Sequence, residues 1–128
     1  IFASESEKNI LLDKIGELNN YDNVDIFTEN LNSFLKKIKD LDLLIGLDSM
    51  SVHAAYTYGI PNIMICGSNN ASLWKNPLCS VVTISDNHVC KHWPCYNRPV
   101  CNNRFYCINS IESKDVIEAI EKIRREKE

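Results

Sequence analysis

The sequence contains no apolar run approaching the ~20 residues that a bilayer-spanning helix needs. Its longest, around Leu41–Leu47, is interrupted by Asp42 and is strand-sized. No Met opens the chain, and no basic start leads into an apolar stretch, so no signal peptide is visible and the chain reads as a piece of something longer. Internal repeats and low-complexity segments are missing too. The paired C-x2-C knuckles of a zinc ribbon are also absent. What is there suits one domain spanning 1–128: 128 residues, 45% hydrophobic, enough to fill a core, and 24% charged.

The net charge of −3 is unevenly spread. Residues 1–64 carry ten acids against five bases, and residues 65–128 carry seven against nine. Lys75, Lys91, Arg98 and Arg104 outweigh Asp86 between positions 75 and 107. That stretch suits an anionic small ligand, or ordinary solvated loop charge, and is too sparse for a nucleic-acid footprint.

Of the six cysteines, Cys66 ends an apolar run and reads as a buried free thiol, while Cys79 reads as a loop residue. Cys90, Cys95, Cys101 and Cys107 fall within eighteen residues at C-x4-C-x5-C-x5-C spacing. Four thiols permit two disulfides or one tetrahedral zinc site.

The first two-thirds of the chain alternates strand-like and helix-like segments. Ile1–Ala3 resembles the end of a strand. Leu11, Ile15 and Leu18 share one face of a helix over Glu7–Leu18. A short strand follows at Val24–Phe27. Asn30 suits the N-cap of a helix running to Lys39. Leu41–Leu47 is apolar enough for a strand covered on both faces. Ser51–Tyr58 predicts a short helix ending at Gly59, and Asn62–Cys66 a further strand. This order predicts an α/β fold, a parallel sheet with flanking helices. Val81–Ile84 adds one more strand. Residues 86–110 form a Cys-rich loop without periodicity, and a loop that long in a compact domain is functional or cross-linked. Ser113 is the expected cap of the last helix, with Val116, Ile117, Ile120 and Ile123 on its apolar face.

The chemistry concentrates where the buried strand ends, at Asp48-Ser49-Met50-Ser51-Val52-His53. Ligands of parallel α/β sheets bind beyond the carboxyl ends of the strands. A helix N-terminus there offers free N–H groups and about half a positive charge to phosphate oxygens. Ser49 and Ser51 add hydroxyl donors, Asp48 can accept from ribose hydroxyls, and His53 lies within the first helical turn. The plainer reading is an ordinary N-cap, worth ~1 kcal/mol, beside a packed histidine. A second loop, Gly67-Ser68-Asn69-Asn70, follows the next strand and is expected at the same sheet edge. Gly67 there permits close backbone approach. Trp74 reads either as a cap on the core or as a ring for stacking on a base or sugar.

Taken in order, these segments resemble the C-terminal half of the family 9 glycosyltransferases, the ADP-heptose:lipopolysaccharide heptosyltransferases. The family pattern Asp-Thr-Gly-x-x-His-x-Ala-Ala appears here as Asp48-Ser49-Met50-Ser51-Val52-His53-Ala54-Ala55. A Gly-Val-Pro turn becomes Gly59-Ile60-Pro61, and a Phe-Gly-Pro-Thr-Asp-Pro loop becomes Cys66-Gly67-Ser68-Asn69-Asn70-Ala71. The Cys-rich form Pro-Cys-x-x-Arg-x-x-Cys matches Pro94-Cys95-Tyr96-Asn97-Arg98-Pro99-Val100-Cys101. Met50 departs from the family glycine, adding a side chain where backbone would meet phosphate, and Asn70 replaces an acid.

The resemblance implies a Rossmann-like domain, the donor-binding half of a GT-B enzyme, followed by the Cys-rich loop and a C-terminal helix. It implies an inverting transfer of heptose or another sugar from a nucleotide-diphosphate sugar to lipopolysaccharide core or a related glycan. Donor-binding residues would be Asp48, Ser49, Met50, Ser51, His53, Gly67, Ser68 and Asn69, with Glu7 or Glu5 near the nucleoside. The catalytic base would be an aspartate of a separate N-terminal domain, so none of these 128 residues is expected to be catalytic. No cofactor and no metal are implied. The partners are the donor, a glycolipid or glycan acceptor and the N-terminal domain, with no nucleic acid. The implied location is cytoplasmic, with at most peripheral contact at the inner membrane, where structural disulfides are not expected. The alternative is a binding module in which Cys90, Cys95, Cys101 and Cys107 hold zinc and present Lys91, Trp93, Arg98 and Arg104 to a partner.

Overall fold

A computed structural model describes residues 1–14, 16, 21–83, 90, 92–96, 101–102 and 106–128. They fall into two units, Ile1–Lys37 and Ile38–Glu128.

In the first unit the chain starts are tied by backbone: Phe2 forms an isolated parallel bridge with Phe27. Phe2 also meets the rings of Phe27 and Phe34 edge-on, at 5.5 and 4.8 Å between centroids. The strand expected over Val24–Phe27 is reduced to this bridge, since Asp22, Asn23 and Asp25 crowd its entry with poor β formers. Helix α1 spans Glu5–Lys14 and so begins two residues before its expected start. The cause is a reciprocal capping box. Ser4 N–H donates to Glu7 Oε2 at 2.8 Å, and Ser4 Oγ accepts from Glu7 N–H at 3.3 Å. The expected end of this helix, at Ile15 and Leu18, lies outside the described residues. Helix α2 spans Leu31–Ile38, and Asn30 Oδ1 accepts from Ser33 N–H as the expected cap.

The second unit is α/β. Strands β1 (Leu44–Leu47), β2 (Asn62–Cys66) and β3 (Cys79–Thr83) form one parallel sheet in that order, with helix α3 (Met50–Thr57) linking the first two. The register sets Ile45 beside Ile63 and Leu47 beside Ile65, then Ile63 beside Ser80 and Ile65 beside Val82. β1 is shorter than expected because Leu41 N–H is spent on Ile38 O, closing the turn after α2. β3 starts earlier than expected, and Cys79 belongs to it rather than to a loop. Ile84 lies outside the described residues. Gly59 ends α3 with φ of +72°, a conformation that suits glycine.

Two further helices complete the unit. α4 (Tyr106–Asn109) is a single turn inside the Cys-rich stretch, where no element was expected. α5 (Ser113–Arg125) is capped at Glu112 rather than at Ser113. Asp115 Oδ2 reaches back to Glu112 N–H at 2.8 Å, which makes Ser113 the first helical residue. No helix among the described residues is long and apolar enough to cross a membrane.

Strand side chains alternate between faces. A Cβ on Gly46 would meet Ser51 Oγ at 3.2 Å and Val52 Cγ2 at 3.5 Å, so α3 covers the face of Leu44, Gly46 and Met64. On the other face Ile63, Val82 and Ile123 form a core cluster with Val116, Ala119 and Ile120 of α5. That cover does not extend to the β1 edge, where Ile45 and Leu47 are 45% and 58% exposed. The expectation that β1 is covered on both faces is therefore corrected: only the α3 side is covered. Trp74 is 53% exposed and caps no core.

This division predicts unequal costs. Ile63→Ala removes a fully buried side chain and should cost about 2–5 kcal/mol, whereas Ile45→Ala should stay within about 0.5 kcal/mol. Urea unfolding of both variants checks the contrast.

Candidate functional site

The carboxyl ends of β1 and β2 deliver the two loops singled out in the sequence to one place. Asp48 follows β1 directly, and Asn69 lies three residues beyond the end of β2. Asn69 Nδ2 donates to Asp48 Oδ2 at 2.6 Å, joining the loops. The other carboxylate oxygen lies 3.8 Å from His53 Nε2, within ion-pair reach but too long for a hydrogen bond. The Asp48 side chain is 17% exposed and that of His53 47%. His53 is thus a surface group rather than a packed core histidine.

Ser49 occupies the N-cap of α3 in extended conformation, yet its side chain makes no capping bond. Its hydroxyl pairs instead with Ser51 Oγ at 2.9 Å. The N-terminal amides of α3 are therefore left without a side-chain partner from Ser49, beside two hydroxyls and an exposed Met50. From Ser49 to Ser85 the sequence has no carboxylate, and its one formal charge is Lys75.

Beside Asp48 lies a cleft of about 710 Å³. Its sheet-side wall is Leu47, Asp48, Ile65, Cys66, Gly67, Ser68 and Asn69. Its other wall is Cys95, Tyr96, Cys101, Cys107 and Ile108 from the Cys-rich stretch. Ser49, Met50, Ser51 and His53 stand next to Asp48 but do not line this cleft. The two walls are pinned together through main-chain carbonyls of the loop after β2. Trp93 Nε1 donates to Gly67 O at 2.8 Å, and the Cys95 and Tyr96 N–H groups both donate to Ser68 O at 3.1 Å. Gly67 permits a close approach, and Ile108 makes it: a Cβ there would lie 2.9 Å from Ile108 Cδ1. Asn70 serves the loop itself, accepting from Ser72 N–H and Ser72 Oγ to start the 3-10 turn Ala71–Leu73.

Glu7 and Glu5 belong to the first unit. Glu7 is engaged by the Ser4 backbone and hydroxyl, which hold its carboxyl below the usual range. Glu5 accepts from Thr28 Oγ1.

All six cysteines are free thiols. Burial pushes the Cys66 thiol up, and the Asp48 charge adds to it. Cys66 Sγ donates to Asn69 O at 3.3 Å, tying the end of β2 to the loop that follows. Cys95 is raised by burial first, and then by its neighbours Cys107, Cys101 and Cys90. Among the described residues, no three His, Cys, Asp or Glu side chains are grouped to hold a metal ion. Lys91, Arg98 and Arg104, expected beside the thiols, lie outside the described residues. A separate groove of about 740 Å³ along β3 and α5 carries charges of both signs and none of the expected site residues.

The sequence singles out Cys95, Cys101 and Cys107 as a thiol cluster but does not place them on a wall of this cleft, and Tyr96 and Ile108 carry no periodic signal that would do so. No family model matches the chain, and neither a curated protein nor a solved structure matches it.

The Asp48–Asn69 contact makes a pH-signed prediction. Asn69→Asp sets two carboxylates against each other, which raises the folded-state pKa of the pair above its unfolded value. Destabilisation should therefore be present at pH 7, on the order of 1–3 kcal/mol. It should fade as the pH falls through the raised pKa and a proton is shared. Thermal melts of wild type and variant at pH 7 and pH 4.5 test this; equal losses at both would contradict it.

Proposed function

We propose that the chain is the donor-binding portion of an inverting glycosyltransferase. It would hold a nucleotide-diphosphate sugar whose heptose, or other sugar, is passed to lipopolysaccharide core or a related glycan. The observation that carries this reading is the junction of two loops, by Asp48 and Asn69, at the carboxyl end of a parallel sheet. That is where open α/β sheets take ligands. In this reading Asp48 accepts from ribose hydroxyls through the oxygen that Asn69 leaves open. Ser49, Ser51, His53 and the α3 N-terminus meet the diphosphate and stabilise charge developing on it as the glycosidic bond breaks. Met50, half exposed, borders that position. The domain belongs to a GT-B architecture whose other half supplies the base and the acceptor site, at the cytoplasmic face of the inner membrane.

Titrating the chain with ADP, GDP and UDP while following amide NMR shifts tests the reading. Shifts should saturate with one nucleotide and centre on Asp48–His53 and Ser68–Asn69. Asp48→Ala should weaken that nucleotide by roughly tenfold, about 1.4 kcal/mol. Absence of shifts with all three nucleotides would count against the reading.

A second reading, a zinc-held binding module, is favoured by one observation: Cys95, Cys101 and Cys107 share a cleft wall. It requires these thiols to draw closer and lose their protons on the metal. About one equivalent of zinc by elemental analysis, lost together with the fold on chelation, is its expected outcome. Freely titrating thiols in folded, metal-free protein would end it.

A further inference from the structure

We propose that Tyr96 is the platform on which the base of the bound nucleotide stacks, so that Cys95, Tyr96, Cys107 and Ile108 form an outer wall of the donor cleft; this rests on the donor reading above. The cleft carries both kinds of group: Asp48, Ser68 and Asn69 are polar, and Leu47, Ile65 and Ile108 are apolar. A nucleotide needs both, for its hydroxylated ribose and for its flat base. Tyr96 is the aromatic residue among the described parts of the wall.

Its backbone is held while its ring is free. The Tyr96 N–H donates to Ser68 O, and its φ of +51° is one that a bulky residue seldom adopts. Yet the residue stays 44% exposed and is not packed into the core. A fixed backbone with an accessible ring loses little conformational freedom when a planar group settles on it. Among the described residues, the neighbouring aromatics Trp74, Trp93 and Tyr106 do not line the cleft. Stacking on a ring face recognises any base, because every base has a π-face. Tyr96 therefore supplies affinity for the nucleoside, and base choice comes from elsewhere in the cleft.

Calorimetric titrations of the wild-type chain, Tyr96→Ala and Tyr96→Phe with ADP, GDP, UDP and inorganic pyrophosphate test this. Tyr96→Ala should weaken the nucleoside diphosphates roughly tenfold and leave pyrophosphate unchanged, while Tyr96→Phe should stay close to wild type. Unchanged nucleotide affinity in Tyr96→Ala would overturn the proposal. So would an equal loss for pyrophosphate, which marks a structural role, or a Tyr96→Phe as weak as Tyr96→Ala, which marks a hydroxyl contact. If wild type binds none of ADP, GDP and UDP, the donor reading fails and this one fails with it. If wild type binds a nucleotide and only the Tyr96 pattern is absent, the donor reading stands alone.

Discussion

The hydrogen bond from Asn69 to Asp48 is the constraint on which the rest of the site depends. Parallel strands bring two loops to the same sheet edge, but they do not fix how those loops face each other. A charge-assisted bond between a mostly buried carboxylate and a side-chain amide does fix it. It occupies one carboxylate oxygen, directs the other toward His53, and sets the loop bearing Ser68 against the end of β1. Cys66 Sγ, bonded to Asn69 O, steadies the same residue from below. Because Asp48 is only slightly exposed, losing its partner would leave a poorly solvated charge, so the pair is coupled to folding as well as to binding.

Much of the sheet-side half was legible in the sequence, for physical reasons that can be traced residue by residue. Ile63–Cys66 is an uninterrupted apolar run, and the strand expected over Asn62–Cys66, between Pro61 and Gly67, forms with those bounds. Gly59 is where α3 turns out, and Asn30 caps α2 as expected. Errors arose where a side chain acted at a distance of three residues. Glu7 and Asp115 reach back to the N–H groups of Ser4 and Glu112, which moved the start of α1 and the cap of α5. The strand expected around Val24 is reduced to a bridge because Asp22, Asn23 and Asp25 outweigh its three apolar positions.

The outer half of the cleft was not legible. Tyr96, Cys107 and Ile108 are placed by contacts to Gly67 and Ser68 that no periodicity encodes. Gly67 illustrates the difficulty. A glycine after a strand suggests backbone open to a ligand, whereas here its missing side chain makes room for Ile108. The same residue type in the same position satisfies both demands, and only the neighbour tells them apart. Trp74 shows the converse, since a large aromatic residue beside a core turns out to be exposed.

The attachment of the two cleft walls has a consequence for how the cleft opens. The strands are joined along their length by backbone pairing. Among the described residues, the outer wall is held to the loop after β2 by three hydrogen bonds and one packed isoleucine, each hydrogen bond worth a net ~0.5–1.5 kcal/mol. Lightly held segments open at lower free energy than the core of a fold. The sheet can thus stay complete while the outer wall is undocked. A molecule touching both walls would shift that balance by mass action, and so would act as the last structural element of its own binding site.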